Sequence, residues 1–298
     1  MAEPRIPTQQ NLGASEVAAA LDLSPWQSSW DLWARKTGRL MGDTDSDVMR
    51  AGRLLEPVVL TLAEEKLGLL EREPQTLRID GSPIVCHLDA FTAKGHQPVE
   101  AKTAGMYGPL VGNWGEEGSD DIPDYYWVQL GCYVRATGAE VGHLAALLGG
   151  RGFMVYTCPA DPELMDQIVN RVGEWGDTHV VGDRPPANSL PSPEVLQRLR
   201  RTEATVDLPE EALEWFEKWE EAREERLRFE KIEEEMWGRG AAFLGDAMCG
   251  RLPSGRIAGY SEYVARALDQ KALREMLPEV AREFTQPSLR RRKFLRKE

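Results

Sequence analysis

The sequence predicts an α/β protein in which a central mixed β-sheet is flanked by helices and is followed by a helical C-terminal appendage. Three observations indicate this fold class. Apolar residues recur at helical spacing over residues 45–67. Two extended segments, residues 84–92 and 98–103, follow with a short polar loop between them, which is typical of an antiparallel hairpin. After a proline-rich stretch, residues 203–235 form an acidic amphipathic pattern.

The first elements are helical. Ser15 is a suitable N-cap for the apolar stretch that begins at Val17, and a short helix around Trp33 is expected to end at Gly38. The helix over residues 45–67 contains Pro57, where a local distortion is expected because proline removes a backbone hydrogen bond.

The later elements complete the predicted core. A helix is expected over residues 123–136, a second hairpin over residues 141–157 and a helix over residues 161–175. Four prolines within residues 183–193 indicate a linker. The predicted domain organisation is therefore a core over residues 1–182, a Pro-rich linker over residues 183–200 and a C-terminal region over residues 201–298.

The charge of the chain is unevenly distributed. The formal net charge is -13, but residues 203–235 hold 14 acidic and 5 basic residues, whereas residues 289–298 hold six Lys and Arg and one Glu. An acidic chain cannot coat nucleic acid, because neutralising phosphates requires Lys and Arg. It can still admit DNA through one restricted basic passage. The basic tail is either a DNA-contacting arm or a solvated end.

Other classes are excluded by cysteine spacing and hydropathy. Four cysteines lie far apart without a C-x-x-C pair, which speaks against a zinc ribbon or an iron–sulfur cluster. The N-terminus lacks the apolar segment of a signal peptide, and no apolar run reaches the length of a membrane span. We expect a cytoplasmic protein without membrane association.

The candidate chemistry lies in the first hairpin, where Asp89 is followed after ten residues by Glu100-Ala101-Lys102. Residues two apart in a strand face the same side, so Glu100 and Lys102 should project together while Ala101 faces the core. Two carboxylates and a backbone carbonyl make an incomplete oxygen shell that suits Mg²⁺ with several waters. The lysine is placed to deprotonate or orient a water, or to stabilise a charged phosphate.

The alternative is that this spacing arises by chance, since 29% of the residues are charged. The surroundings favour a site. Leu88, Phe91 and Val99 flank the two carboxylates, and burying unpaired carboxylates is costly unless a cation balances them.

These residues resemble the PD-(D/E)xK nuclease core, and the flanking segments resemble the YqaJ-type viral recombinase family, which includes phage lambda exonuclease. The supporting segments are Gly13-Ala14-Ser15-Glu16-Val17, Leu23-Ser24-Pro25, Lys36-Thr37-Gly38, Gly52-Arg53-Leu54-Leu55-Glu56-Pro57 and Ile122-Pro123 with Tyr126 and Gln129. Together they extend over about half of the chain. The resemblance implies a restriction-endonuclease-like core.

The resemblance also implies catalytic roles. Asp89 and Glu100, with the Ala101 carbonyl, would bind Mg²⁺, for which Mn²⁺ can substitute. Lys102 would be the catalytic lysine, and Glu56 would approach the metal directly or through its waters. Gln129 would lie beside the catalytic centre.

Four residues are expected on the substrate side of this site. Ser15 matches a serine that helps to bind the 5′ phosphate of a DNA end, a role compatible with a helix N-terminus. His87, on the same face of its strand as Asp89, can take part in such a pocket. Arg53 would contribute to a local basic lining, and Tyr126 belongs to the matching helix motif.

The implied activity is that of a Mg²⁺-dependent deoxyribonuclease. By resemblance it would be a 5′→3′ exonuclease on double-stranded DNA ends, in phage or prophage recombination, whose product strand passes to a single-strand annealing protein. A homo-oligomer, in the form of a ring trimer, is also implied. Two alternatives remain: an endonuclease or nickase built on the same core, and a non-catalytic DNA-binding or assembly protein that retains the fold.

Overall fold

A computed structural model describes residues 11–41, 46–73, 75–105, 114–203, 205–262 and 270–283. The chain divides into two compact units, Met1–Thr202 and Glu203–Glu298. The basic tail predicted as a DNA-contacting arm lies outside the described residues. Among the described residues, no helix has the length and apolar character needed to span a membrane.

The first unit alternates short strands with helices along the chain. In order, its elements are β1 (Leu12–Gly13), α1 (Ala14–Ala20), α2 (Ser29–Lys36), α3 (Asp47–Leu67), β2 (Leu70–Glu71), β3 (Gln75–Arg78), β4 (Ile84–Leu88), β5 (Ala90–Thr92), β6 (Pro98–Ala104), α4 (Asp124–Thr137), β7 (Val141–Leu148), β8 (Gly152–Pro159), α5 (Pro162–Trp175), a π-helical segment (Gly176–Val181) and α6 (Pro193–Arg198).

A five-stranded mixed sheet forms the centre of this unit, in the order β2-β5-β6-β7-β8. Strands β5 and β6 pair antiparallel, as do β7 and β8, whereas β6 and β7 pair parallel with Glu100 opposite Leu144 and Lys102 opposite Ala146. Both predicted hairpins are therefore present, and β6 is the central strand. The parallel pair is joined through α4, a crossover of the kind that parallel strands require.

Helices cover both faces of the sheet. On one face, Val59 and Ala63 of α3 pack with Val99 and Ala145. On the other face, Leu144 belongs to the larger core that contains α1, α2, α4 and α5. Alternate strand residues thus serve opposite cores, as the pleat requires. The predicted fold class is confirmed, because a mixed sheet lies between helices.

Helix α4 lies close to strand β7, and Gly142 permits this approach. A Cβ atom at Gly142 would lie 2.7 Å from Val134 Cγ2 and 2.9 Å from Leu130 Cδ1, both on α4. These separations are shorter than a carbon–carbon contact allows, so a side chain at this position would force Val134 and Leu130 to shift.

The segment over residues 84–92 was expected to be one strand, but the structure divides it at Asp89. Strand β4 pairs with β3 and with β1 in a separate three-stranded sheet, whereas β5 belongs to the central sheet. Asp89 lies at the break between the two sheets. A change of partner strand at one residue cannot be deduced from an uninterrupted extended pattern.

The prediction that Ser15 caps α1 is wrong, because the helix begins at Ala14 with Gly13 as its N-cap. Glu16 occupies the capping role instead: its Oε2 accepts the Gly13 N–H at 2.7 Å. The same carboxylate lies 2.5 Å from Lys36 Nζ and 2.8 Å from Arg35 Nη2. Glu16 therefore ties the β1–α1 junction to the end of α2.

Residues 183–200, expected to be a linker, lie instead within the first unit. Ser189 donates to Asp22 Oδ1 at 2.7 Å, the Ser192 N–H donates to Asp31 Oδ1 at 2.9 Å, and Val195 of α6 is buried in the core. This proline-containing segment is therefore an ordered strap across α2. Its anchoring contacts are made by Ser189, Ser192 and Val195, which lie between or after the prolines.

The second unit consists of α7 (Glu211–Ala241), a 3₁₀ turn (Ala242–Leu244), the hairpin strands β9 (Cys249–Arg251) and β10 (Ile257–Gly259), α8 (Gln270–Met276) and α9 (Pro278–Glu283). The long acidic helix is present as expected. The glycine-rich residues 238–259 contain the end of that helix and the β9–β10 hairpin.

We expect that a chain ending at Thr202 folds cooperatively, whereas one ending at Gly182 is destabilised. The shorter chain loses the buried Val195 and the hydrogen bonds to Asp22 and Asp31. Losing several buried contacts costs a few kcal/mol, which lowers the Tm of a domain of this size by at least about 5 °C. Thermal unfolding followed by circular dichroism measures this. Equal Tm values for the two chains would contradict the anchoring role of the strap.

Candidate active site

Glu100 and Lys102 project from the same face of the central strand β6, as predicted. Their side chains form an ion pair between Lys102 Nζ and Glu100 Oε1. The Glu100 side chain is only 4% exposed, whereas that of Lys102 is 24% exposed. The carboxylate thus lies at the bottom of the site and the ammonium group reaches toward its opening.

Helix α4 holds Glu100 in place from above the sheet. Gln129 Nε2 donates to Glu100 Oε1 at 2.6 Å and also to Tyr133 Oη at 2.8 Å. Tyr126, one turn earlier, places its ring 5.7 Å from Lys102 Nζ, within reach of a cation–π interaction. Gln129 and Tyr126 therefore lie beside Glu100 and Lys102 in the structure, and their catalytic and substrate-binding roles stay predictions.

Tyr133 is a site residue that the sequence reasoning missed. It lies four residues after Gln129, so both side chains occupy one face of α4. That spacing is the signal that would have found it: a buried tyrosine one turn after a functional glutamine is in position to orient the amide.

Asp89 approaches the same centre from the break between β4 and β5. Its Oδ2 accepts the N–H of Ala101 at 2.9 Å. This bond fixes the Asp89 carboxylate against β6 at Ala101, the residue between Glu100 and Lys102. The two carboxylates, the Ala101 peptide and the lysine are therefore brought together as the hairpin model predicted.

The electrostatics of this cluster are strongly perturbed. Burial, together with the charge of Glu100, raises the pKa of Asp89 to about 8. Burial lowers the pKa of Lys102, but the charge and hydrogen bond of Glu100 outweigh this effect, so the pKa of Lys102 is raised. The cluster thus holds more negative charge than a single lysine can balance when both carboxylates are ionised.

The donor set fits a hard divalent cation. Among the described buried polar side-chain atoms, Glu100 Oε2 is one that has no hydrogen-bond partner. No three Asp, Glu, His or Cys side chains within the described ranges converge as a complete metal cage. Glu100, Asp89 and the Ala101 carbonyl would therefore leave several coordination positions to water or phosphate, as Mg²⁺ prefers.

Glu56 and His87 lie beside this centre rather than within it. Both line a cavity of about 370 Å³ that also contains Asp89 and, from the segment before β4, Arg72 and Thr76. The charge of Glu56 contributes to the raised pKa of Asp89. Thr76 Oγ1 contacts His87 Nδ1 at 3.1 Å. Arg72 was not among the predicted site residues, because no sequence pattern around it indicates that it lies near Asp89 in the fold.

The other two predicted substrate residues lie on the surface. Arg53 is exposed on α3, three residues before Glu56 and hence on the same side of that helix. Ser15 is exposed at the second position of α1. Their contact with DNA remains a prediction.

The fold and the site define a class: an α/β protein whose central strand presents a Glu-x-Lys pair beside an aspartate at a strand end. The predicted family resemblance is confirmed, because residues 8–140 match the model of the YqaJ-like viral recombinase domain. This match supports a nuclease.

Particular relatives extend the comparison over more of the chain. A protein of Bacillus subtilis (strain 168) named "Uncharacterized protein YqaJ" is 25% identical over 285 residues, which cover 92% of this chain and 88% of that protein. The alkaline exonuclease LHK-Exo from Laribacter hongkongensis is 14% identical with a TM-score of 0.45, and the alignment covers 59% of this chain and 90% of that one. A phage related exonuclease from Haemophilus somnus 129PT is 11% identical with a TM-score of 0.42, covering 58% and 96%.

We expect Asp89→Asn to stabilise the metal-free protein increasingly as the pH rises. The pKa of Asp89 is about 8 when folded and about 4 when unfolded, so the unfolded chain releases the proton first. The contribution of Asp89 to stability is therefore complete below about pH 4 and is lost between about pH 4 and pH 8. The asparagine variant lacks this loss.

Tm measured with a chelator from pH 4 to 9 tests this. The difference between Asp89→Asn and the wild type should grow across that window and then level off. Asp80→Asn, at an exposed turn, is the matched control and should show no such trend. A difference that is constant with pH would contradict the raised pKa.

Proposed function

We propose that this protein is a Mg²⁺-dependent deoxyribonuclease that acts as a 5′→3′ exonuclease on double-stranded DNA ends. The observation that carries the proposal is the buried Glu100, held by Gln129 and Lys102 with its second oxygen unpartnered, beside the Asp89 carboxylate. A structural ion pair would leave no such oxygen, because an unsatisfied buried carboxylate atom is destabilising.

Phosphodiester hydrolysis consumes one water: its oxygen bonds to phosphorus, the bond to the leaving oxygen breaks, and that oxygen takes up a proton. Asp89, Glu100 and the Ala101 carbonyl would hold the cation, with Glu56 contacting its waters. A bound Mg²⁺ supplies positive charge that polarises a phosphate oxygen. Mn²⁺ is expected to substitute.

The remaining residues position the reactants. Lys102, whose side chain is 24% exposed above Glu100, donates to the attacking water or to a phosphate oxygen. Gln129 prevents Glu100 from rotating, since its amide bridges Glu100 and Tyr133. The cavity that contains Asp89, His87 and Arg72 gives the phosphate backbone a path to the centre, with Arg53 on the adjoining surface of α3 and Ser15 assigned to the terminal phosphate.

The biological role is part of the proposal, and the family match supports it. A nuclease that resects the 5′ strand leaves a 3′ single strand, which a single-strand annealing protein would take up during phage or prophage recombination. A homo-oligomeric ring around the duplex is proposed for the same reason.

Lys102→Ala and Asp89→Ala should each reduce Mg²⁺-dependent cleavage of linear duplex DNA by at least about 100-fold, while DNA binding is retained. Lys102→Ala removes the donor to water or phosphate, and Asp89→Ala removes a cation ligand. The measurement is the initial rate of nucleotide release, with binding followed by fluorescence anisotropy. Lys94→Ala, at the exposed turn of the same hairpin, is the matched control and should keep the wild-type rate. Unchanged cleavage in both site variants would overturn the assignment.

Duplexes labelled at the 5′ or the 3′ end, each with and without a 5′ phosphate, test the direction of degradation. We expect early release of the 5′ label as a mononucleotide, faster with the 5′ phosphate, and a shortening product that keeps the 3′ label. A covalently closed circle should remain intact. Cleavage of the circle would instead support the endonuclease or nickase alternative, and binding without any cleavage would support the non-catalytic one.

A further inference from the structure

The two oxygens of the Glu100 carboxylate have different surroundings. Oε1 accepts a hydrogen bond from Gln129 Nε2 at 2.6 Å and forms the ion pair with Lys102 Nζ. Oε2 is buried and has no hydrogen-bond partner among the described residues. A carboxylate oxygen has two lone pairs, so two donors occupy Oε1 fully. Oε2 is therefore the oxygen that Glu100 presents to a cation.

Tyr133 determines which way the Gln129 amide faces. The amide nitrogen carries two hydrogens, and each has its own acceptor: Glu100 Oε1 and, at 2.8 Å, Tyr133 Oη. An amide turned by half a rotation would place its oxygen against Glu100 Oε1 with no hydrogen between them. Gln129 and Tyr133 are both buried, so bulk water does not compete for either bond. The Tyr133 hydroxyl thus holds the amide in the orientation that donates to Glu100.

The Asp89 carboxylate is held in a comparable way. Its Oδ2 accepts the Ala101 N–H at 2.9 Å, which favours ligation of a cation through Oδ1. The protein therefore fixes one oxygen of each carboxylate through a hydrogen bond. Both groups are disposed to act as ligands through a single oxygen.

Ligation through single oxygens discriminates between divalent cations. Mg²⁺ requires octahedral geometry with metal–oxygen distances of about 2.0–2.1 Å and keeps several waters. Ca²⁺ takes about six to eight oxygens at about 2.3–2.6 Å and accepts both oxygens of one carboxylate. A Glu100 side chain that presents Oε2 alone supplies a ligand for the smaller ion and denies the larger ion a second oxygen.

We propose that Tyr133 is a positioning residue that makes the site selective for Mg²⁺ over Ca²⁺, because it acts through Gln129 to keep Glu100 Oε1 away from the cation. The inference rests on the proposed function, since it concerns the cation that the nuclease would use. The effect passes through one hydrogen bond, from Gln129 Nε2 to Tyr133 Oη.

Removal of the Tyr133 hydroxyl should change the two cation affinities unequally. One amide hydrogen loses its acceptor, and Gln129 is then free to turn away from Glu100. Oε1 keeps Lys102 as a donor but has a lone pair available for a cation. Ca²⁺ gains a ligand, whereas Mg²⁺ loses a rigidly placed one. A role limited to core packing would instead weaken the binding of both ions equally.

The test is competition for bound Mn²⁺ in the full-length protein without DNA, with free Mn²⁺ measured by electron paramagnetic resonance. Mg²⁺ and Ca²⁺ are each titrated against Mn²⁺, and the ratio of their displacement constants gives the selectivity. The Mn²⁺ that Asp89→Ala fails to bind defines this site and separates it from ions on the acidic surface of α7. Equal Mn²⁺ binding by the wild type and Asp89→Ala would overturn the proposed cation site and this inference with it.

Tyr133→Phe and Gln129→Leu should each shift the ratio about 10-fold toward Ca²⁺, an effect typical of residues that orient a metal ligand. Tyr133→Phe in the Gln129→Leu background should add no further shift, because the two residues act through one hydrogen bond. Additive shifts would overturn the route through Gln129. Unchanged ratios in both single variants, with Asp89-dependent Mn²⁺ binding retained, would overturn this proposal and leave the proposed function standing.

Tyr156→Phe is the matched control. Tyr156 is fully buried two strands away from Glu100, and its hydroxyl donates to the Gly115 carbonyl at 3.3 Å. The control loses the same hydroxyl group and should keep the wild-type ratio. A shift as large as that of Tyr133→Phe would overturn the proposal. If circular dichroism shows that Tyr133→Phe does not fold, Gln129→Leu decides, and an unchanged ratio in that variant overturns the proposal.

Discussion

The carboxylate of Glu100 lies beneath α4, where Gln129 and Lys102 both bind its Oε1 atom. A buried charge needs such partners, because the protein interior solvates it poorly. The need to solvate the Glu100 carboxylate accounts for several features of the surrounding structure. The central strand carries a lysine two positions later, α4 brings Gln129 over this strand, and Gly142 of β7 lets the same helix approach the sheet. The site and the packing of the core are therefore one arrangement.

Asp89 shows how the two sheets of the first unit contribute to a single centre. It leaves β4 where that strand ends its pairing with β3, and its carboxylate binds the Ala101 peptide of the central sheet. The three-stranded sheet in turn brings His87 and Thr76 to the adjoining cavity. One sheet thus supplies the base of the site, and the other supplies one of its walls.

Much of this was predictable from the sequence. The two-residue period of a strand predicted the sheet face toward which Glu100, Ala101 and Lys102 project. The predicted hairpin placed Asp89 on the neighbouring strand beside them. The break at Asp89 and the role of Glu16 were not predictable, since they depend on strand and helix partners distant in the chain. The strap over residues 183–200 was missed for a related reason: prolines indicate an irregular path, but Ser189 and Val195 acquire their partners only from the tertiary fold.

In the hairpin that carries the site, the length of the turn can change without affecting the position of the catalytic side chains. Ala90 pairs with Val99, next to the two carboxylates, and the turn over residues 93–96 lies beyond that pair. Residues can be added to the turn without moving either carboxylate. One residue added within β5, or before Glu100 in β6, would instead rotate the acidic side chain to the opposite face of the sheet, toward Val59 and Ala63 of α3. In related sequences we therefore expect insertions and deletions in the turn, whereas the strand segments should differ only by substitutions.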